Sequence, residues 1–133
     1  MSFILRCLCV TWSRVVKKIL YVDDEQTWRE MVAEALKAVG HEVLTAKDAS
    51  EAMEQSDGIN LGLIILDLNL AGESGLMLMR FLRRNHPTIP ILLYTGQDHD
   101  EERVRSMLLQ GAAQYLRKGT MKELVQAVGR SFR

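Results

Sequence analysis

Beyond residue 16 the chain alternates between short apolar runs and stretches whose apolar positions recur at helical spacing. The runs are KILYV (18–22), HEVLTA (41–46), LGLIILD (61–67), IPILLYT (89–95) and AAQYLR (112–117). Most are almost continuously apolar, which is the pattern of strands covered on both faces of a parallel sheet. Between them Trp28, Met31, Val32, Ala35, Leu36 and Val39 recur as one helical stripe, and Gly40 is its natural stop. DASE (48–51) and TMKE (120–123) read as capping boxes that open the second and fifth helices. Met121, Leu124, Val125 and Val128 give the fifth helix its apolar face. The third helix follows Gly75, and the fourth runs from Asp100 to Gln110 before Gly111.

Five strand–helix units without a long linker or low-complexity tract predict one α/β domain over residues 17–133. Right-handed crossovers make it a doubly wound, flavodoxin-like, five-stranded parallel sheet of order 2-1-3-4-5 flanked by five helices. The ligand crevice of such a sheet lies at the carboxyl ends of strands one and three. Residues 1–16 are set apart as an N-terminal extension, either disordered or docked on the domain.

Length and charge narrow the function classes. At 133 residues the chain buries a core without disulfide or metal support. Its 17 basic side chains balance 17 acidic ones, so no overall field draws it to nucleic acid or an anionic membrane, and direct nucleic-acid binding is not expected. Cys7 and Cys9 are too few and too close for a disulfide framework and have no nearby His for a zinc site. A reducing, cytoplasmic compartment fits them. Arg6 interrupts the apolar start, no small-residue cleavage site follows, and no run reaches membrane-spanning length.

The chemistry sits at the strand ends. Asp23 and Asp24 end strand one and Asp67 ends strand three, so the fold places three carboxylates in one crevice. Such anions repel one another, and a hard divalent ion such as Mg²⁺, which takes oxygen ligands, relieves them. For the dipeptide alone, capping of the next helix is an equally good explanation. Strand four, however, ends in Thr95 followed by Gly96, and strand five delivers Lys118. An oxygen nucleophile, a metal site, a hydroxyl and an ammonium around one crevice are the parts that hold a phosphoryl group.

With VDDE (22–25), LDLN (66–69) and its Gly75, YTG (94–96) and YLRKG (115–119) in this order, the chain resembles the receiver domain of two-component response regulators over residues 17 to 131. The resemblance implies that Asp67 accepts the phosphoryl group. Asp24 and Asp67 would bind Mg²⁺ directly, Asp23 mainly through water, and Asn69 through its backbone carbonyl. Lys118 would pair with Asp67 at rest and with the phosphoryl group afterwards. Thr95 would donate its hydroxyl and, with Tyr115, act as the switch that reshapes the face of helix four, strand five and helix five. Asn69 and Gln97 would tune the lifetime of the phosphorylated state. The implied donor is a sensor histidine kinase or a histidine phosphotransfer protein, and the implied output a protein target bound by a monomer or weak dimer. No enzyme activity beyond its own phosphorylation and dephosphorylation is implied. Because the sequence ends after helix five, action through a partner without an attached output domain is expected. Relay to another histidine, or service as the receiver part of a hybrid kinase, is the alternative.

Two positions depart from the family pattern. Gly119 stands where a proline with a preceding cis peptide is usual, which leaves the resting place of Lys118 open, and Ala71 replaces a common proline. Met77 and Phe81 add apolar surface to helix three beyond the core stripe of Leu76, Leu78, Met79 and Leu82. They are either scattered surface residues or a docking patch for a partner or for FILRCLCVTW (3–12). Two rival functions fit less well. A phosphatase of the haloacid dehalogenase type needs an acid/base aspartate where Asn69 stands. A flavodoxin-like cofactor binder needs a Gly-rich turn after strand one, which is missing. A receiver that has lost phosphorylation would not keep the full acidic set.

Overall fold

A computed structural model describes residues 18–70, 73–96 and 100–132. The N-terminal extension with Cys7 and Cys9, the loop residue Ala71 and the lifetime position Gln97 lie outside the described residues.

The apolar runs form the strands β1 (Lys18–Val22), β2 (Glu42–Ala46), β3 (Leu61–Leu66), β4 (Ile91–Thr95) and β5 (Gln114–Arg117). All pair in parallel in the order β2-β1-β3-β4-β5. Five helices alternate with them: α1 (Gln26–Ala38), α2 (Ala49–Ser56), α3 (Gly75–Asn85), α4 (Glu101–Leu109) and α5 (Met121–Ser131). A two-residue antiparallel ladder, Asn69–Leu70 with Glu73–Ser74, was not foreseen and folds the loop after β3 back on itself.

The central strands are buried on both faces, so the core falls into two layers. On one side Leu20, Val22, Ile64, Leu66, Ile91 and Leu93 pack against α2, α3 and α4 through Ala52, Leu78, Met79, Leu82 and Met107. On the other Ile19, Tyr21, Leu63, Ile65, Leu92 and Tyr94 meet α1 and α5 through Val32, Leu36, Leu124, Ala127 and Val128. The stripe expected on α1 proves narrower than its periodicity. Met31 and Val39 are exposed, because α1 covers the sheet edge with only one turn-spaced ridge, Val32 and Leu36.

The predicted caps form. The Asp48 carboxylate accepts the Glu51 amide and Thr120 Oγ1 accepts that of Glu123. In the first box Glu51 reaches back to the amide of Lys47, one residue before the cap. Asp100 caps α4 by accepting the Arg103 amide. At the opposite end from the crevice, the Arg83 guanidinium donates to the carbonyls of His86, Ile89 and Gly111, tying α3 to the turn before β5. Met77 and Phe81 do stand outside the core; with Met53 of α2 they line a shallow groove between α2 and α3.

Gly75 matters for space rather than for backbone freedom. A Cβ there would lie 2.5 Å from Leu68 Cα and 2.6 Å from its carbonyl oxygen. The start of α3 therefore rests directly on the backbone that follows Asp67. Gly75→Ala is expected to lower the unfolding free energy by about 1–3 kcal/mol, the usual range for overpacking against atoms that cannot swing aside. Urea denaturation measures it, and a change below a few tenths would show that the Leu68 segment yields easily.

Candidate functional site

Sheet register assembles the site. Val22 pairs with Leu66, so the next residues, Asp23 and Asp67, emerge side by side, and the Asp67 amide donates to Val22 O at 2.9 Å. Thr95 pairs with Arg117, and the Lys118 amide donates to Thr95 O at 2.7 Å. Asp23, Asp67 and Thr95 are all buried, while Asp24 is half-buried. Asp23, Asp24 and Asp67 each offer a carboxylate oxygen within 4.8 Å of the others.

Lys118 lies among them. Its Nζ donates to Asp67 Oδ2 at 3.0 Å, as expected, and to Asp23 Oδ2 at 2.6 Å, which the sequence reading did not foresee. Its side chain is 6% exposed and passes 4.7 Å from the centre of the Trp28 ring, a cation–π distance. Trp28 in turn sets its edge against Tyr94. Every described peptide is trans, including the one before Gly119. The open question over Lys118 closes there: strand pairing and two carboxylates seat it without a proline.

The other contacts explain how the carboxylates are held. Asp67 Oδ1 accepts the Asn69 amide at 2.9 Å. Asp23 Oδ1 accepts the Glu25 amide at 2.9 Å, and its Oδ2 accepts the Tyr21 hydroxyl. Arg29 donates to the Asp23 carbonyl at 2.7 Å. At the start of α1 the cap position is held by Glu25, whose side chain makes no cap bond. Tyr21, Trp28 and Arg29 are the site residues that sequence reasoning missed. For Tyr21 a signal existed: two residues before Asp23 on a strand, it must share that residue's face. Asn69 places its side chain in solvent. Tyr115 is half-buried on the α2–α4 side of the sheet.

Burial raises the pKa of Asp67; the Asn69 amide and Lys118 counter this without cancelling it, and Asp23 adds to the rise. Burial also opposes the Lys118 ammonium, but its bonds to Asp23 and Asp67 prevail and its pKa is raised. Tyr21 is held protonated, chiefly by burial and then by its bond to Asp23. Three carboxylates outnumber the Lys118 ammonium set among them, an excess of negative charge that a divalent cation would relieve. Thr95 Oγ1 is buried and has no hydrogen-bond partner among the described residues. A buried donor in that state suits an incoming acceptor such as a phosphoryl oxygen. The donor set thus fits both a hard cation and a tetrahedral oxyanion.

A lysine-bridged carboxylate cluster at the switch point of a 2-1-3-4-5 sheet defines a receiver-type domain, and comparison with known proteins agrees. The family model of the response regulator receiver domain matches residues 19–129, so the chain belongs to that family. The phosphate regulon transcriptional regulatory protein PhoB of Pseudomonas aeruginosa is 38% identical over 106 residues, 78% of this chain and 46% of PhoB. The CAI-1 autoinducer sensor kinase/phosphatase CqsS of Vibrio cholerae is 35% identical over 89 residues, 65% of this chain and 13% of CqsS. The crystal structure of the chemotaxis protein CheY4 of Vibrio cholerae superposes with a TM-score of 0.81 at 28% identity, covering 88% of this chain and 99% of CheY4. The chain spans about half the length of the PhoB relatives it matches. Among the described residues no helix is long and apolar enough to cross a membrane.

The charges make opposite predictions for two substitutions in metal-free protein. Because the folded-state pKa of Asp67 is raised, the group favours the native state when protonated, and that contribution is lost as pH rises through the folded pKa. Asp67→Asn, which leaves Lys118 its Asp23 partner, should therefore be more stable than wild type at neutral pH, with a higher urea midpoint. The gain should fade on acidification. Lys118→Met leaves two buried carboxylates without their cation and should lose about 3 kcal/mol or more. Urea midpoints measured from about pH 4 to pH 8 test both, and an Asp67→Asn protein less stable than wild type at neutral pH would contradict the burial argument.

Proposed function

We propose that this receiver domain is a phosphorylation switch: Asp67 takes a phosphoryl group from the phosphohistidine of a sensor histidine kinase or a histidine phosphotransfer protein. The observation that carries this reading is Lys118 bridging Asp23 and Asp67 beside a buried Thr95 hydroxyl that has no hydrogen-bond partner among the described residues. One Asp67 oxygen forms the new O–P bond as the P–N bond breaks, and the departing imidazole takes up a proton. A carboxylate is a weak nucleophile, so positioning does most of the work. The Asn69 amide and Lys118 hold the two Asp67 oxygens from different sides and fix the direction of attack.

Asp24, Asp67 and the Asn69 backbone carbonyl are the proposed direct ligands of Mg²⁺. When bound, the ion neutralises the carboxylates and the transferring oxygens. Asp23 already accepts from Tyr21, Lys118 and Glu25, which supports an indirect, water-mediated part for it. After transfer, Lys118 and Thr95 hold phosphoryl oxygens, and the inward shift of Thr95 admits Tyr115. Both residues belong to the same side of the sheet, where Tyr115 pairs with Leu93, two residues before Thr95. The face of α4, β5 and α5 then presents a different surface to a protein target.

Asn69 and Gln97 set the lifetime of this state, and the domain turns over no other substrate. We place it in the cytoplasm, as a monomer or weak dimer. Neutral net charge argues against direct nucleic-acid contact by this domain, although PhoB is a transcriptional regulatory protein. Relay of the phosphoryl group to a histidine phosphotransfer domain is a second reading, supported by the similarity to the sensor kinase/phosphatase CqsS.

Incubation with acetyl phosphate and Mg²⁺ should add about 80 daltons to the intact mass, and Asp67→Ala should abolish the gain. A folded, Mg²⁺-binding protein whose mass does not change would overturn the proposal.

A further inference from the structure

The Tyr21 hydroxyl is not needed to fill space. Tyr21 is fully buried in the layer between the sheet and helices α1 and α5, where a phenyl ring would occupy nearly the same volume. Its oxygen instead reaches along the strand to the carboxylate two residues on, and donates to the same Asp23 oxygen that accepts from Lys118. Two donors of different mobility thus share one acceptor. The tyrosine is fixed by the core, whereas the lysine ends a flexible stem and is shared with Asp67.

We propose that Tyr21 is a positioning residue for phosphoryl transfer: its hydroxyl keeps Asp23 satisfied and in place while Lys118 moves from Asp23 toward the phosphoryl group. This rests on the phosphorylation of Asp67 proposed above. Asp23 is 0% exposed, so bulk solvent does not touch its carboxylate in the resting site and a departing ammonium has to be compensated from within the site. Without Tyr21 only the Glu25 amide, among the described residues, would stay on its carboxylate, and a buried charge so weakly held opposes any step that removes a partner. With Tyr21 in place the carboxylate keeps one donor on each oxygen throughout. The resting site needs the hydroxyl least, because Lys118 is then present. The benefit therefore appears in the transfer step rather than in donor binding or in folding.

Tyr21→Phe is the direct test, with acetyl phosphate as donor and the 80-dalton product as readout. The maximal phosphorylation rate should fall about tenfold, the kinetic equivalent of one buried hydrogen bond to a charged group. The half-saturating donor concentration and the thermal midpoint should stay close to wild type, a split that a merely structural role would not produce. The second measurement needs no variant. In wild-type protein the Tyr21 hydroxyl proton, shielded from exchange, should remain visible by proton NMR both at rest and with Mg²⁺ and beryllium fluoride bound as a phosphoryl mimic. An unchanged rate in folded Tyr21→Phe, or loss of that proton signal on adding the mimic, overturns the role of Tyr21 while leaving phosphorylation of Asp67 intact. Failure of wild-type protein to gain mass overturns both.

Discussion

The whole arrangement depends on one ammonium held between two buried carboxylates. Lys118 Nζ lies 2.6 Å from Asp23 and 3.0 Å from Asp67, and these three residues come from the ends of three different strands. Only the register of the sheet brings them together. Val22 beside Leu66, and Thr95 beside Arg117, fix which residue comes next at each strand end. A slip of one residue in any pairing would turn the charged side chain to the opposite face. The apolar strands therefore do more than fill the core; their packing against two layers of helices determines where the charges can be.

The site also straddles the sheet. Tyr21, Tyr94 and the ring of Trp28 belong to the layer covered by α1 and α5, and the ion pairs lie above them. Leu93 and Tyr115 belong to the other layer, covered by α2, α3 and α4. Thr95, two residues beyond Leu93 on the same strand, shares that second face. A change of charge at Asp67 acts at once on the lysine of one layer and on the hydroxyl of the other. That is the geometry a switch needs, since a local electrostatic event must reach a surface that a partner can read. The arrangement is bought with stability: a raised Asp67 pKa and a buried hydroxyl without a partner among the described residues are both unfavourable in the resting fold.

Much of this was legible in the sequence. Short continuous apolar runs such as LGLIIL, alternating with longer helical stripes, read as strands buried on both faces, and once their order is set, Asp23, Asp67, Thr95 and Lys118 follow as strand-end residues. Capping boxes located α2 and α5 because the side-chain bonds that start a helix are local. What escaped is the contact made across the fold by an atom at the end of a side chain. Tyr21 reads as one more apolar strand residue; its spacing puts it on the face of Asp23, but strand alternation does not say that the hydroxyl reaches the carboxylate. Trp28 reads as core stripe, although its face also lies under the Lys118 ammonium. Met31 and Val39 fit the same stripe yet are exposed, since periodicity describes a face of the helix and not how much of that face the sheet covers.

Gly119 shows why such contacts matter more than the loop. A glycine after the lysine removes the rigidity that a proline would supply, and by loop chemistry alone Lys118 should wander. It is held instead by contacts from four sides. Its amide joins Thr95 in the sheet, and its ammonium lies over the Trp28 ring and is drawn to Asp23 and Asp67. The Gly119 amide itself donates to the Tyr94 hydroxyl, 3.5 Å away. Tyr94 and Tyr21 thus stand on the same side of the sheet, one under the lysine loop and the other under its acceptor. Rigidity that a ring in the backbone would give is here supplied by aromatic side chains of the core. Position 28 therefore bears on position 118 directly, and positions 21 and 94 bear on it through Asp23 and Gly119.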